Sequence, residues 1–386
     1  MIKAIDVFSG CGGVSCGLTK TGFSVRVAVD NEPKAVSVYK NYKPLQKTKV
    51  LIKDVHDVKG CKLLSLAKIK KDELYLMAGC PPCQNFSRQN VKNKEKSEEE
   101  RKELLFQFLR LIEEMYPPFI LMENVQGIIS KLNVGILNEF LNRLDDVSKP
   151  ENQRYKIFKS VLNAADYGVP QHRMRFVLHA VRNDIYDELT RYDIPFGLPQ
   201  QTHSKQGQDG LAQWVTVKQA IDDLPPITAG EQYMGTEIKN HKCANLSSIN
   251  LERIRFIRAN GGSRTSLPDR LVLECHKKKN QDGVVFEGRR DVYGIMDPDK
   301  PSPTITGGCL CYSKGRYGHY SQDRAISIRE AARLQTFPDD FEFSNNLGES
   351  ALQIGNAVPI KLVEASGKTI MSAIKQLMKA KKKLKD

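Results

Sequence analysis

The sequence has 386 residues, of which 40% are hydrophobic and 27% charged, a composition typical of a folded globular chain with one large or two medium domains. It contains no apolar run of about 18 residues and no signal peptide, so it predicts neither a membrane span nor export. The net charge of +14 favours a polyanionic partner, and nine irregularly spaced cysteines predict reduced thiols in a cytoplasmic protein.

The first 180 residues alternate short apolar runs with segments of helix length, which predicts an α/β sheet with helices on both faces. The predicted strands are 4–8, 25–29, 74–78, 119–122 and 175–181. The region that follows is rich in Gly, Pro, Gln and Asp, and regular patterning returns at 327–334 and in a predicted closing helix at 353–380. We therefore expect one domain at 1–182, completed by 346–386, and an inserted loop-rich domain with its hinge at 183–345.

A glycine-containing loop follows the first predicted strand, with the sequence Phe8-Ser9-Gly10-Cys11-Gly12-Gly13. Glycines there permit a tight turn and a close approach of the backbone to a ligand. The second predicted strand ends at Asp30, whose carboxylate can bind the hydroxyls of a ribose. A dinucleotide enzyme is the competing interpretation, but the loop lacks the G-x-G-x-x-G spacing.

The strand at 74–78 leads into Gly79-Cys80-Pro81-Pro82-Cys83, which places Cys83 on a rigid turn where open α/β sheets bind ligands. A thiol at this position is a candidate nucleophile. Cys80 and Cys83 could instead form a redox pair or half of a zinc site. The internal Pro-Pro disfavours the redox pair, and Cys309-x-Cys311 has the wrong spacing to complete a zinc site, so no metal is predicted.

An apolar run ends abruptly at Glu123, and two alternating arginines, Arg173 and Arg175, precede and open the last predicted strand. A carboxylate at the end of a buried strand is costly unless it has a role or a partner, and it can donate a proton there. Side chains two apart on a strand share a side, so the arginines could orient Glu123, bind a base carbonyl or neutralise a phosphate. The alternatives are a helix-cap neighbour for Glu123 and an ordinary edge strand for the arginines.

Taken in order, these motifs resemble those of the cytosine-5 DNA methyltransferase family over nearly the whole chain. The matching segments are 8–13, Pro82-Cys83-Gln84, Glu123-Asn124-Val125, Gln171-x-Arg173-x-Arg175, the Arg-Glu-x-x-Arg-Leu-Gln segment at 329–335, and 353–359 with its Gly-Asn-Ala-Val-Pro. The resemblance implies a class I methyltransferase fold that depends on S-adenosylmethionine, with a Rossmann-like, mostly parallel mixed sheet. The inserted region of about 150 residues would then be the target recognition domain.

The resemblance also implies a cofactor site. Asp30 would hold the ribose, with Asn31 beside the adenine, where the family often has a bulkier residue. Asp54 would accept a hydrogen bond from the adenine amino group, and Asn356 and Ala357 would close the pocket. The full set of implied cofactor-binding residues is Phe8, Ser9, Gly10, Cys11, Gly12, Gly13, Asp30, Asn31, Asp54, Val55, Pro82, Asn356 and Ala357.

The implied reaction is transfer of a methyl group to carbon 5 of a cytosine in a specific double-stranded DNA sequence. Cys83 would attack ring carbon 6 of a flipped-out base, Glu123 would act at nitrogen 3, and Arg175, with Arg173 behind it, would bind the carbonyl at position 2. The polar segment 84–102 would be a mobile loop that closes over the DNA. Basic residues of the inserted region would contact DNA, mainly its phosphates: Arg264, Arg270, Lys277, Lys278, Lys279, Arg289 and Arg290.

Three alternatives stay open on the sequence. An RNA-acting relative would carry Pro-Phe-Thr after Cys-Gln and a Cys-Phe-Thr tripeptide, whereas this chain has Asn85-Phe86-Ser87 and no Cys-Phe-Thr. An inactive homologue would be expected to have lost the nucleophile, and an amino-group methyltransferase would carry Asp/Asn-Pro-Pro-aromatic in place of Pro-Pro-Cys. The compact length resembles that of restriction–modification enzymes, which implies a monomer in a bacterial or phage-infected cell with a cognate restriction endonuclease as an expected partner.

Overall fold

A computed structural model describes residues 1–70, 72–82, 98–277 and 292–383 of the chain. Within them, seven strands form one sheet in the order β3-β2-β1-β4-β5-β7-β6. The strands are β1 (Lys3–Val7), β2 (Ser24–Asp30), β3 (Lys49–Ile52), β4 (Tyr75–Gly79), β5 (Phe119–Val125), β6 (Tyr155–Asn163) and β7 (Met174–Arg182). Strands β1 to β5 pair in parallel, and β7 is antiparallel to both β5 and β6.

Helices cover both faces of this sheet. Their bounds are α1 (Gly13–Lys20), α2 (Pro33–Val36), α3 (Gly60–Ala67), α4 (Glu98–Met115), α5 (Val134–Leu144), α6 (Asn183–Arg191) and α11 (Ile360–Lys383). Helices α3, α4 and α5 pack in sequence over one face, and α1, α11 and α6 pack together away from them. The core on the first face is almost fully buried because alternate strand residues such as Ile5, Met77 and Ile120 meet Leu109 and Ile112 of α4.

The predicted α/β class is confirmed, and each of the five predicted strands overlaps an observed one, with ends that differ by at most three residues. Two strands, β3 and β6, were not predicted. Both lie at the edges of the sheet, where one side of the strand has no neighbour, and both contain exposed polar residues among short apolar ones. An edge strand therefore lacks the continuous apolar run that identifies a central parallel strand.

The chain divides by packing into two compact units. The first contains the sheet and comprises 1–167, 174–202 and 358–386; the second comprises 168–173 and 203–357. The second unit is rich in loops and contains β8 (His203–Ser204), β9 (Ala212–Gln213), α7 (Val217–Ile221), α8 (Ser248–Ala259), α9 (Ile328–Leu334) and α10 (Leu347–Asn356). The division by function predicted above, with limits at 182 and 346, stays a prediction.

A buried ionic network stabilises the second unit around α9. Arg324 is fully buried and donates two hydrogen bonds of 2.7 Å to the two carboxylate oxygens of Glu330. Glu330 also accepts from the backbone amide of Ser327, whose hydroxyl in turn accepts from the Glu330 amide. This reciprocal capping box begins α9 and satisfies two amide donors that would otherwise lack partners at the helix start.

Two predictions about regular structure were wrong in part. The closing helix at 353–380 is interrupted: α10 ends at Asn356 and α11 begins at Ile360. Pro359 explains the break, because proline has no amide hydrogen and disfavours a helical conformation in the residue before it. The predicted loop at 84–102 lies mostly outside the described residues, but its last five residues belong to α4. No helix in the described part of the chain is long and apolar enough to cross a bilayer.

Candidate active site

The order of the strands places a crevice at the carboxyl ends of β1 and β4. From β1 the chain moves outwards to β2 and β3, and then returns to the other side of β1 as β4. Open α/β sheets bind ligands at such a reversal, because the loops that follow the two central strands separate there. In this chain those loops are the glycine-containing loop and the segment that leads to Cys83. The amide of Cys80 donates to the Val7 carbonyl at 3.2 Å, which joins their starting points.

The glycine-containing loop is fixed by bonds to the end of β2. The Ser9 amide donates to the Val29 carbonyl at 3.0 Å, and the Gly10 amide donates to Asp30 Oδ2 at 2.8 Å. Gly12 has φ of +100°, a conformation that side chains rarely adopt, and a Cβ there would lie 2.9 Å from the ring of Tyr39. The glycine therefore allows α1 to begin directly against Tyr39.

A series of buried side-chain hydrogen bonds supports this loop. Tyr39 donates to the Ser15 hydroxyl at 2.6 Å, and Ser15 donates to Asp6 Oδ2 at 2.5 Å. Burial of Asp6 in the centre of the sheet raises the pKa of its carboxyl group to about 7. No role was predicted for Asp6 from the sequence, although an acidic residue in the middle of an apolar strand is a signal of a buried polar contact.

Three predicted cofactor residues lie at the ends of β2 and β3. Burial raises the pKa of Asp30, while the amides of Glu32 and Gly10, which donate to its carboxylate, act in the opposite direction. Asp54 follows β3, and the backbone amide and imidazole of His56 lower the pKa of its carboxyl group, as does a hydrogen bond with the Asn31 side chain. Asn31 and Asp54 are therefore brought together, as the resemblance implied.

These surroundings fit S-adenosylmethionine. Space is open where a Cβ of Gly10 would stand, so a ligand can approach the backbone of the loop. The Ser9 hydroxyl is buried and has no hydrogen-bond partner among the described residues. Val55 is buried beside Asp54. Within the same described ranges, no cluster of His, Cys, Asp and Glu has the arrangement of a metal site, and the absence of a metal stays a prediction.

The segment leading to the predicted nucleophile, Cys83, is held by the strand beside it. Asn124 is buried at the end of β5, and its side-chain amide donates to the Pro81 carbonyl at 3.2 Å. A Cβ on Gly79 would lie 2.3 Å from the Phe108 ring, so the end of β4 packs directly against α4. Pro82 is described and exposed, whereas Cys83 lies outside the described residues. Asn124 belongs to one of the motifs found in the sequence, but this anchoring contact was not predicted.

Glu123 and Arg175 form an ion pair in the same unit. Arg175 Nε lies 2.7 Å from Glu123 Oε1, and the two side chains are only 11% and 12% exposed. The pair follows from strand register: Arg175 lies opposite Val125, so it is a diagonal neighbour of Glu123 on the same face of the sheet. Glu123 also lines a small pocket together with Gly79, Cys80 and apolar residues of α1, β5, β7 and α11: Val14, Leu121, Val177, Leu362 and Val363.

Arg173 does not share the environment of Arg175. Strand β7 begins at Met174, so the period of two that would align the arginines does not include Arg173. The Arg173 side chain is buried in the second unit. Its guanidinium donates to the carbonyls of Ile305 (2.6 Å), Gly355 (2.8 Å) and Ala357 (3.1 Å) and to Gln171 Oε1 (3.3 Å). Arg173 therefore contacts mainly the main chain of the second unit, whereas Arg175 forms the ion pair with Glu123.

Comparison with known proteins identifies the family. Residues 2–372 match the family described as C-5 cytosine-specific DNA methylase. The chain belongs to this family. It is a DNA (cytosine-5-)-methyltransferase, with the class I methyltransferase fold predicted from its motifs.

The similar proteins cover the chain almost completely. The Type II methylase M.HgiDII of Herpetosiphon aurantiacus is 34% identical over 97% of this chain and 95% of its own length. The Type II methyltransferase M1.HphI of Haemophilus parahaemolyticus is 31% identical over 95% and 86%. A crystal structure of a DNA modification methyltransferase encoded within an E. coli prophage has a TM-score of 0.63 and 26% identity, covering 98% of this chain and all of that one. Dnmt2 of S. pombe, at 14% identity, 98% and 99% coverage and a TM-score of 0.55, shares the fold.

The remaining predicted residues of this methylase lie in its second unit. Asn356 is the last residue of α10 and is exposed, and Ala357 is buried, so their contribution to the cofactor pocket stays a prediction. Of the basic residues predicted to contact DNA, Arg264 is buried, Arg270 pairs with Glu252, and Lys277 pairs with Glu274 at 2.7 Å. The other four, Lys278, Lys279, Arg289 and Arg290, lie outside the described residues.

Proposed function

We propose that this methyltransferase acts on a cytosine within a specific double-stranded DNA sequence, through a covalent Cys83 adduct on a flipped-out base. The observation that carries the proposal is the Glu123–Arg175 ion pair. Its acidic partner, Glu123, lies near the carboxyl end of β5 and lines a small pocket with Gly79 and Cys80, the residues that lead into the Pro-Pro-Cys segment. A carboxyl group and a guanidinium held together near the segment that contains Cys83 can bind one edge of cytosine, the carboxyl group at nitrogen 3 and the guanidinium at the carbonyl of position 2.

The residues have complementary roles in this proposal. The Cys83 thiolate attacks ring carbon 6, while the protonated carboxyl group of Glu123 donates a proton or a hydrogen bond to nitrogen 3 and so stabilises the electron density that the attack moves onto that nitrogen. Arg175 holds Glu123 in place and donates to the carbonyl at position 2. Carbon 5 then has the character of an enamine carbon. After methylation, a water molecule takes the proton from carbon 5. The released electron pair restores the double bond between carbons 5 and 6 and expels Cys83 as thiolate, and nitrogen 3 returns its proton to Glu123.

The cofactor site is assigned to the loop after β1 and the ends of β2 and β3. Phe8 to Gly13 would hold the methionine part by backbone contacts, Asp30 the ribose, and Asn31, Asp54 and Val55 the adenine, with Pro82, Asn356 and Ala357 completing the site. When bound, S-adenosylmethionine supplies the electrophilic methyl group that carbon 5 takes up. No metal is needed for this chemistry.

The DNA substrate and the biological system are proposed from the net charge of the chain and from the names of its relatives. The net charge of +14 suits phosphate contacts along a duplex, and a stacked cytosine is accessible to Cys83 only after flipping, which costs a few kcal/mol. Because relatives such as M.HgiDII and M1.HphI are named Type II enzymes, we assign the chain to a restriction–modification system. In such a system the methylation protects host DNA from a cognate endonuclease. We further propose that the enzyme acts as a monomer in the cytoplasm.

The experiment is expression in a host without cytosine methylation, followed by bisulfite sequencing of the genome. Methylation confined to one short sequence is expected for the wild type and is expected to disappear with Cys83→Ala. The matched control is Cys61→Ala, because Cys61 is exposed on α3 and belongs to no proposed site. An unmethylated genome despite folded protein would contradict the DNA substrate, and methylation of tRNA by the same preparation would replace it with RNA. Methylation by the Cys83→Ala enzyme would contradict the covalent mechanism.

A further inference from the structure

The segment after β3 is fastened to α4 by its main chain. Arg110 donates from one guanidinium nitrogen to the carbonyls of Val55 and Val58, at 2.9 and 3.0 Å. Glu114, one turn further along α4, accepts from the amide of Gly60 at 2.6 Å. The residues from Asp54 to Gly60, here called the 54–60 segment, therefore have a position fixed by α4 rather than by β3 alone.

A side-chain bridge adds to these main-chain contacts. His56 Nδ1 lies 2.5 Å from Asp54 Oδ1, and His56 Nε2 lies 3.1 Å from Glu103 Oε1 on α4. The backbone amide of His56 donates to the same Asp54 oxygen at 3.0 Å. Each ring nitrogen of one imidazole thus faces one carboxylate, and Asp54 receives two contacts from a single residue.

This double contact matters because Asp54 is exposed. Its side chain is 46% accessible, and an exposed aspartate ordinarily samples several rotamers. Ordering a side chain when a ligand binds lowers affinity, whereas a side chain already held in its bound conformation avoids that loss. The Asn31 side chain also forms a hydrogen bond with Asp54, and the His56 imidazole, bound to α4 through its other nitrogen, adds the contact that connects the carboxylate to that helix.

We propose that His56 is a positioning residue, which orients Asp54 toward the adenine amino group of the cofactor and connects that carboxylate to α4 through Glu103. The inference rests on the proposed adenine role of Asp54. Helix α4 begins at Glu98, after the segment that contains Cys83, so His56 joins the adenine end of the cofactor site to the helix that follows the nucleophile in the chain.

The test uses binding of two product analogues to the full-length protein, measured by isothermal titration calorimetry. S-adenosylhomocysteine has the adenine amino group, and S-inosylhomocysteine has an oxo group there, which cannot donate to Asp54. Wild type is expected to prefer the amino form. His56→Ala is expected to weaken S-adenosylhomocysteine binding by about tenfold and to leave S-inosylhomocysteine binding nearly unchanged, so that the preference is largely lost.

Conservative variants separate the two contacts of the imidazole. His56→Asn keeps a donor near the position of Nδ1 and is expected to restore most of the preference, whereas His56→Gln, whose donor reaches the position of Nε2, is not. Glu103→Gln removes the charge at the α4 end and is expected to lower the preference by a smaller factor. Glu99→Gln is the control, because Glu99 is an exposed glutamate one turn earlier on the same helix. Thermal unfolding confirms that each variant is folded.

The outcomes distinguish this inference from the proposed cofactor site. Asp54→Ala removes the acceptor and should abolish the preference; if the preference persists, Asp54 does not bind the adenine and both proposals fail. If Asp54→Ala abolishes it while His56→Ala leaves it at the wild-type value, only the positioning role is overturned. Equal weakening of both analogues by His56→Ala would also overturn it, because a general distortion of the site would not discriminate between them.

Discussion

The separate environments of Arg173 and Arg175 predict that the same substitution impairs a different property at each position. Lysine keeps the positive charge but lacks the planar fork of donors. At Arg173 this removes contacts to main-chain carbonyls of the second unit, and at Arg175 it alters the contact with Glu123. Arg173→Lys should therefore reduce stability, and Arg175→Lys should reduce catalysis.

The magnitudes follow from the contacts. The Arg173 guanidinium makes four hydrogen bonds in a buried position, and one ammonium group cannot reach four acceptors that surround a plane. At least two buried acceptors would lose their donor, at roughly 1–2 kcal/mol each, so the expected loss of unfolding free energy is about 2–4 kcal/mol. Arg175→Lys keeps the charge beside Glu123 and should change stability by less than about 1 kcal/mol, while kcat falls by about 100-fold.

Two assays separate these effects. Trp214 is the only tryptophan in the sequence and lies in the same unit as Arg173, so its fluorescence during urea unfolding reports the stability of that unit. Transfer of a labelled methyl group to DNA at saturating substrate reports kcat. If Arg173→Lys left the urea midpoint unchanged and lowered kcat by about 100-fold, the structural role assigned to Arg173 would be wrong. A stable, fully active Arg175→Lys enzyme would refute the role assigned to Arg175.

Three further predictions concern stability. Glu330→Gln leaves Arg324 buried without its ionic partner and should cost about 3–5 kcal/mol, measured by urea unfolding. Burial lowers the pKa of His179 to about 4, so as the pH falls the unfolded state binds a proton before the folded state does. The free energy of unfolding should therefore fall by about 2 kcal/mol between pH 6.5 and 5, and His179→Asn should remove this dependence. Gly355→Ala should destabilise by more than about 2 kcal/mol, because the added Cβ would lie 2.1 Å from a main-chain carbon, whereas Gly135→Ala on α5, with open space around it, should be neutral or slightly stabilising.

Each of these has a clear contrary result. If the urea midpoint of Glu330→Gln were within experimental error of the wild-type value, another group would have to compensate the buried charge of Arg324. The same fall in stability with pH in wild type and His179→Asn would assign the effect to other groups. Equal effects of alanine at Gly355 and Gly135 would contradict the close backbone approach at Gly355.

The residues predicted best from sequence are those where a local pattern breaks. Glu123 interrupts the apolar run of β5 two residues before the strand ends, and Asp30 ends β2; each is a costly residue at a position where burial alone would select an apolar one. The structure places both at the carboxyl edge of the sheet. Strand interiors were predicted for the complementary reason, because central parallel strands are buried on both faces and so are continuously apolar. Edge strands β3 and β6 fulfil neither condition.

Contacts between distant segments could not be predicted in the same way. Nothing near His56 in the sequence indicates Glu103, because their contact depends on how α4 packs against the 54–60 segment. The chain from Tyr39 through Ser15 to Asp6 similarly joins a short helical turn, a helix and a strand. Such pairs are determined by packing geometry, and a single sequence contains residue types but not the distances between them.

The charge of a residue and the two-residue spacing of strand side chains are unreliable predictors of its contacts for a related reason. Each describes the residue only within its own secondary-structure element. Arg264 was predicted to contact DNA because it is basic and lies in a loop-rich region, yet it is buried. Arg173 was grouped with Arg175 by a period of two, which holds only while both residues belong to one strand, and β7 begins between them. The two arginines of this motif therefore have different roles because β7 begins between them. Arg175, inside β7, points to the same face of the sheet as Glu123 and contacts it. Arg173, before the strand, donates to main-chain carbonyls of the second unit.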